Sequence, residues 1–185
     1  MPKNIHINFT GASSTGKTTV LESLHKVLPE FKVNTGVIRH MTGMSLNESS
    51  TEESQTAIFD AYNRFLEENQ SSDYISDRCI IDPLAYTLVL TAQGRLDRAV
   101  LNNQWSAVKR AVEELKLTHV FYFPIEFGSV SDGVRSEDED FRRETDCGIR
   151  AVLNDLKRMY PQFDYTEVHG TPEERQKLII DYIIK

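Results

Sequence analysis

The strongest chemical signal in the chain lies in eight consecutive residues. Gly11 to Thr18 reads GASSTGKT and matches the pattern GxxxxGK[ST] at every fixed position. Before it, Ile5, Ile7 and Phe9 alternate with His6 and Asn8, as a strand does. After it, Val20, Leu21, Leu24, Val27 and Leu28 recur at helical spacing. A turn between strand and helix is an anion site, because backbone N–H groups converge there at the positive end of the helix dipole. Gly11 and Gly16 let the backbone wrap a phosphate chain, with Ser13, Ser14, Thr15, Lys17, Thr18 and Thr19 supplying the rest of the cradle. Lys17 is expected to bridge the outer phosphates, and the Thr18 hydroxyl to enter a magnesium shell. The alternative, a chance Gly/Ser turn ahead of a helix, does not account for both flanks. The pattern implies a nucleoside triphosphate, ATP or another, with Mg2+.

What lies downstream narrows the chemistry. No Asn-Lys-x-Asp segment is present to read a guanine base as a translation-type GTPase does, and no apolar strand ends in paired acids as in a motor ATPase. Instead the short strand Tyr74 to Ser76 runs into Asp77-Arg78, followed by Asp82, Pro83 and Tyr86. An acid at a strand's carboxyl edge can hold magnesium or accept a hydroxyl proton. A neighbouring arginine can clamp a phosphate or a developing charge. Asp77 therefore has two open roles, metal contact and acceptor base, with the acceptor role favoured. An ordinary solvated Asp-Arg turn is the bland alternative.

Positioning these residues requires an alternation of strands and helices. Helices are expected at Lys17 to Leu28, Glu52 to Glu68, Pro83 to Ala92, Leu96 to Leu117, Phe141 to Met159 and Pro172 to Ile184. Further strands are expected at Phe31 to Val33 or at Val37-Ile38, at Val120 to Phe123 and at Phe163 to Val168. Met41 to Ser50 reads as loop. This order predicts a single α/β domain over 1–185: a parallel sheet of about five strands covered on both faces, with its site at the strands' carboxyl ends.

At these motifs the chain resembles the P-loop nucleoside and nucleotide kinases. Asp77-Arg78 with Ala85-Tyr86 is similar to a thymidylate kinase pattern, although Cys79 stands in place of its aromatic residue. A closer resemblance is to the nicotinamide-riboside-kinase-like P-loop domains, a group that includes phage kinases. It runs through the phosphate loop, Asp82 to Tyr86, and Asp132-Gly133-Val134-Arg135, which matches that group's lid. The resemblance implies a P-loop kinase fold with an arginine-bearing lid at about 126–145. The activity it implies is transfer of a γ-phosphoryl group to a hydroxyl or phosphate of a nucleoside or nucleotide.

Ser131 to Arg143 is almost wholly polar and carries Arg135, Arg142 and Arg143. An arginine closing over transferring phosphates is worth about 10³–10⁵ in rate. Arg135 is the first candidate because it belongs to the lid motif, and Arg142 the second. Glu137 to Asp140 would pair with these arginines when the lid is open, and a salt-bridged surface loop is the alternative. Arg150 reads as structural, and Asp132 as a turn cap. Asp82 reads either as the cap of the helix after it or as a substrate-binding acid. Trp105 reads as core or partner surface, and the five histidines show no metal-ligand spacing.

Between His40 and Asp77 stand eight acids against one base, Arg64. Tyr62, on the helix bordering the acceptor side, could stack on a base. A phosphorylated acceptor would need Arg39 and Arg78 as its clamp, so a small neutral hydroxyl-bearing acceptor of nucleoside type is favoured. Two alternatives stay open. One is phosphorylation of 5-hydroxymethyluracil within DNA, as in similar phage domains. The other is a nucleotide-binding regulatory module with no acceptor chemistry. Net charge is −7, from 21 Lys plus Arg against 28 Asp plus Glu, which offers no general attraction to nucleic acid. The apolar runs are too short to span a membrane, and no cleavable leader precedes the first strand. Two cysteines make no disulfide framework. A cytoplasmic enzyme, alone or as an oligomer, is the expectation.

Overall fold

The alternating residues of His6–Thr10 (β1) face two different layers, which is what makes this strand the centre of the molecule. Ile7 and Phe9 pack with Lys17–Val27 (α1) and Pro172–Ile183 (α6), whereas Asn8 points the other way and accepts a 3.2 Å hydrogen bond from the Tyr74 hydroxyl. Asn8 and Thr10 are thus buried along with the apolar residues of β1. The structure, a computed structural model, describes residues 4–36, 44, 46–128 and 138–184.

Four more strands flank β1: Lys32–Asn34 (β2), Tyr74–Ser76 (β3), His119–Tyr122 (β4) and Asp164–Glu167 (β5). Their spatial order is β2-β3-β1-β4-β5, with every pairing parallel. Parallel strands need crossover helices, and these cover both faces. One face carries α1 and α6. The other carries Glu52–Glu68 (α2), Ile81–Ala92 (α3), Arg98–Glu113 (α4) and Glu139–Met159 (α5), closed over Tyr74, Val120 and Tyr122. The sheet and its two layers agree with the α/β expectation.

Where element boundaries moved, local chemistry explains it. The second strand forms at Lys32–Asn34; the other expected position, Val37-Ile38, lies outside the described residues. α3 begins at Ile81, two residues before Pro83, because a proline in the first turn has no N–H to lose from the helix. Asp82 is therefore inside the first turn and not the cap before it. α2 and α6 start on capping boxes, Thr51 with Ser54 and Thr171 with Glu174, which satisfy two orphan N–H groups each. Asp138 caps α5 two residues earlier than the sequence led us to expect. Gly148 allows α5 to cross α3 closely, since a Cβ there would stand 3.3 Å from the Ala85 carbonyl oxygen. No helix among the described residues is long and apolar enough to cross a membrane.

Candidate active site

Residues 11–16 join β1 to α1 over the carboxyl edge of the sheet. Gly11 packs so tightly on the residue that follows β4 that a Cβ would meet the Phe123 carbonyl oxygen at 2.5 Å. Gly16 is the N-cap of α1, with φ of 87°, and offers no side chain to the helix's free N–H groups. Those groups are left facing the loop, as an anion site requires. The Lys17 ammonium, 5% exposed, donates to the Gly11 and Ala12 carbonyls at 2.7 and 2.6 Å and to Thr15 Oγ1 at 3.0 Å. It is held inside the loop and pointed along it. Thr19 is exposed on the outer rim.

Asp77 follows β3 and meets the first turn of α1. The Thr18 hydroxyl donates to Asp77 Oδ2 at 2.8 Å, while Asp77 Oδ1 is buried with no hydrogen-bond partner. A hydroxyl and a carboxylate with a spare oxygen, both beside a phosphate loop, suit magnesium. That ion takes one or two protein oxygens and fills its octahedron with water and phosphate. The residues present fit the metal.

Arg78 reaches from the same strand end toward α3. Its Nη1 donates to Asp82 Oδ1 at 2.9 Å and to the Gly11 carbonyl at 3.2 Å. Burial works against the charge on Arg78, but Tyr86, Asp82, Tyr62 and Asp77 outweigh it, so its pKa lies above the ordinary value. Asp82 is 1% exposed and also accepts from the Gly11 N–H at 3.2 Å and the Cys79 N–H at 3.1 Å. One carboxylate thus binds the start of the phosphate loop to the start of α3. Asp82 and Arg78 line a recess with Leu46, Gln55, Tyr62 and Tyr86. About 20 Å³ of it is free, room for about one water.

A second, open cleft of about 580 Å³ lies on the far side of the loop, a volume typical of a ligand site. Its walls are Gly16, Thr19 and Val20, then Glu126 and Phe127 after β4, then Gly170 to Pro172 and Arg175 after β5. Sequence reasoning missed this cleft. The available signal was general: the turn after the last strand also ends at the sheet's carboxyl edge. Arg175, 2% exposed, is sandwiched between the Phe123 and Phe127 rings. It donates to the Thr15 carbonyl at 2.6 Å and pairs with Glu126. Glu126 also accepts from Gly170 N–H and meets His169, which in turn touches Glu167. These two acids raise the His169 pKa above its ordinary value. Burial would raise that of Glu126, but His169 and Arg175 outweigh it and hold it low.

Arg142 does not stand where a free lid arginine would. It is 2% exposed on α5, and every guanidinium nitrogen has a protein acceptor: Ser13, Ser14 and Phe127 carbonyls, and Glu139. Arg142, expected as the second lid arginine, is here engaged by the loop's own carbonyls and by Glu139. Arg143 is exposed beside Asp140, and Arg150 is tied to Tyr122 and Asp146. Arg39, Asp132, Arg135 and Glu137 lie outside the described residues. The structure thus brings together Lys17, Thr18, Asp77, Arg78, Asp82, Tyr62 and Tyr86.

Comparison with known proteins agrees with this architecture. The family model described as AAA domain matches residues 6–175. The chain belongs to the AAA domain family. Among solved structures it is similar to deoxyadenosine kinase from M. mycoides with bound dATP, at 14% identity and a TM-score of 0.74, covering 98% of this chain and 100% of that one. Thymidylate kinase from Candida albicans matches at 16% identity and a TM-score of 0.64, covering 98% and 92%. The NadR protein in complex with NR matches at 14% identity and a TM-score of 0.70, covering 97% of this chain and 50% of that one. No curated protein matches the sequence. At such identities the likeness establishes the fold, that of the P-loop nucleoside and nucleotide kinases.

Proposed function

We propose that this protein is a kinase that moves the γ-phosphoryl group of a nucleoside triphosphate to a hydroxyl of a nucleoside-type acceptor. The observation that carries the reading is the pair of recesses on opposite sides of one phosphate loop. The open cleft beside Phe127 and Gly170 takes the base of the triphosphate, and the recess at Tyr62, Arg78 and Tyr86 takes the acceptor. A kinase needs both; a regulatory module needs one.

Within this reading Lys17 extends from the loop onto the outer phosphates and neutralises charge there. Thr18 and Asp77 hold magnesium, which when bound screens the phosphate charge. The 2.8 Å Thr18–Asp77 contact and the spare Asp77 oxygen favour the metal contact over the acceptor-base role expected from sequence alone. Proton loss from the acceptor comes late in a loose transition state, so positioning matters more than a strong base. Tyr62, Tyr86 and the Arg78–Asp82 pair do that positioning. The recess walls must part to admit an acceptor. Arg78 is already neutralised by Asp82 at 2.9 Å, so a monophosphate would compete with a built-in carboxylate while a neutral nucleoside would not. Arg135 is retained as the lid arginine on the strength of its motif. A soluble cytoplasmic setting accords with the reading.

The test is to incubate the protein with magnesium and γ-labelled ATP or GTP against nucleosides, nucleoside monophosphates and duplex DNA containing hydroxymethylated bases. Label on a nucleoside is expected. Label in duplex DNA alone would replace the small-molecule acceptor. Triphosphate binding with no transfer to any acceptor would leave the regulatory reading.

A further inference from the structure

Three consecutive carbonyls of the phosphate loop accept hydrogen bonds from guanidinium groups far along the chain. Arg142 Nε donates to the Ser13 carbonyl at 2.9 Å and its Nη2 to the Ser14 carbonyl at 3.4 Å; Arg175 Nη1 donates to the Thr15 carbonyl at 2.6 Å. Each arginine also grips one of two adjacent residues after β4. Arg142 Nη2 reaches the Phe127 carbonyl at 2.9 Å, and Arg175 pairs with the Glu126 carboxylate. We propose that Arg142 and Arg175 are positioning residues that fix the direction of the loop's N–H groups and couple the loop to the segment 126–127 beside the open cleft.

The argument is one of peptide geometry. In a planar trans peptide the C=O of one residue and the N–H of the next point in opposite directions. Holding the carbonyls of Ser13, Ser14 and Thr15 outward therefore turns the N–H groups of Ser14, Thr15 and Gly16 the opposite way. A flipped peptide would present a carbonyl to the phosphate in place of a donor. Such a flip is easy in a Gly/Ser-rich loop: Ser14 already sits at φ of 56° and Gly16 at 87°. Buried carbonyls also need donors, and charge-assisted ones are the strong kind. Net charge is not the purpose. Glu139 offsets Arg142 and Glu126 offsets Arg175, so the pair contributes direction rather than positive potential. Because Phe127 and Glu126 line the cleft, filling that cleft and ordering the loop share the same two side chains.

The inference rests on the proposed function only in treating the loop as the triphosphate site, and its test needs no acceptor and no transfer. Affinity for inorganic tripolyphosphate is measured by calorimetry on the full chain and on Arg142→Gln and Arg175→Gln. Circular dichroism establishes folding, and amide exchange is followed at residues 12–16. Each folded variant is expected to bind tripolyphosphate about tenfold more weakly, the scale of one lost charge-assisted hydrogen bond. Loop amides should exchange faster while those of β1 and β4 are unchanged. Arg→Lys at either site, keeping charge and one donor, should recover part of the affinity. Folded Gln variants with wild-type tripolyphosphate affinity would overturn the proposal. Where a Gln variant does not fold, the Lys variant decides: affinity below wild type supports it, equal affinity overturns it. Absence of transfer to every acceptor, with these affinities shifted as stated, would defeat the kinase reading and leave the loop-positioning inference standing.

Discussion

The two sides of the phosphate loop are built on different physical terms. On the side of α1 and α6, which we propose takes the triphosphate, the phosphate loop, the N-terminus of α1 and the Gly170–Thr171 turn meet Phe127 and Arg175 around an open cleft of about 580 Å³. On the side of α2 and α3, which we propose takes the acceptor, the lining is Gln55, Tyr62, Arg78, Asp82 and Tyr86, closed down to about 20 Å³. A backbone cradle reads phosphate whatever side chains surround it, so its signature is short and general. A side-chain recess reads the shape and charge of its ligand, and what it selects depends on several residues distant in sequence.

If that contrast holds, the largest effect belongs to Lys17. Lys17→Ala should remove phosphoryl transfer by at least about 10³-fold with every acceptor, since nothing replaces the charge at the outer phosphates. Turnover near wild type in a label-transfer assay would break the assignment of the triphosphate side.

Asp77→Asn comes next, with a loss of about 10²-fold in kcat at low magnesium. As the carboxylate completes a metal shell with Thr18, the loss should shrink as magnesium is raised, while the acceptor KM stays constant. A deficit unchanged by magnesium would return Asp77 to the acceptor side as a base.

Asp82 lies on the seam, bonded to Gly11 of the loop and to Arg78 of the recess. Asp82→Asn leaves Arg78 without its counter-charge and should cost about 3 kcal/mol of stability in chemical denaturation, as breaking a buried pair does. Both the triphosphate KM and the acceptor KM should rise. A change confined to one of them would show that the two sides are not joined through this carboxylate.

The same contrast explains how much was legible beforehand. The loop from Gly11 to Thr18 was readable because backbone chemistry demands fixed residue types at fixed spacing. The sheet was readable because β4 and β3 alternate between two buried layers. Arg78 and Tyr86 were traceable as members of a motif and Tyr62 by its place on the helix bordering the acceptor side, and the structure does bring them together. Arg175 and Glu126 were not legible. Their roles arise from 160 residues of separation between Arg175 and Thr15, which no local pattern encodes. The contacts of Arg142 with the loop carbonyls were not legible for a related reason: an arginine beside a lid looks the same in sequence whether it faces phosphate or the loop's carbonyls.

The smallest effect concerns His169, next to the Gly170 wall of the open cleft. His169 has a raised pKa because Glu126 and Glu167 stabilise its protonated ring. Its contribution to stability is therefore fully present below the ordinary histidine value of about 6.5 and lost as pH rises through the elevated folded value. The ring is more than half exposed, so the change is small. Melting curves of wild type and His169→Gln should differ most at mildly acidic pH and converge in alkaline buffer. A difference that grows with pH would contradict the sign.

The division of labour between the two recesses can be examined directly by photolabelling. The protein is irradiated with 8-azido-ATP or 8-azido-GTP and magnesium, digested, and the modified peptides mapped by mass spectrometry. Label on the segments around Phe127 and from Gly170 to Arg175, competed away by unmodified triphosphate, is the predicted result. Label recovered instead on Leu46 to Tyr62 would place the triphosphate base in the recess assigned to the acceptor and contradict the account.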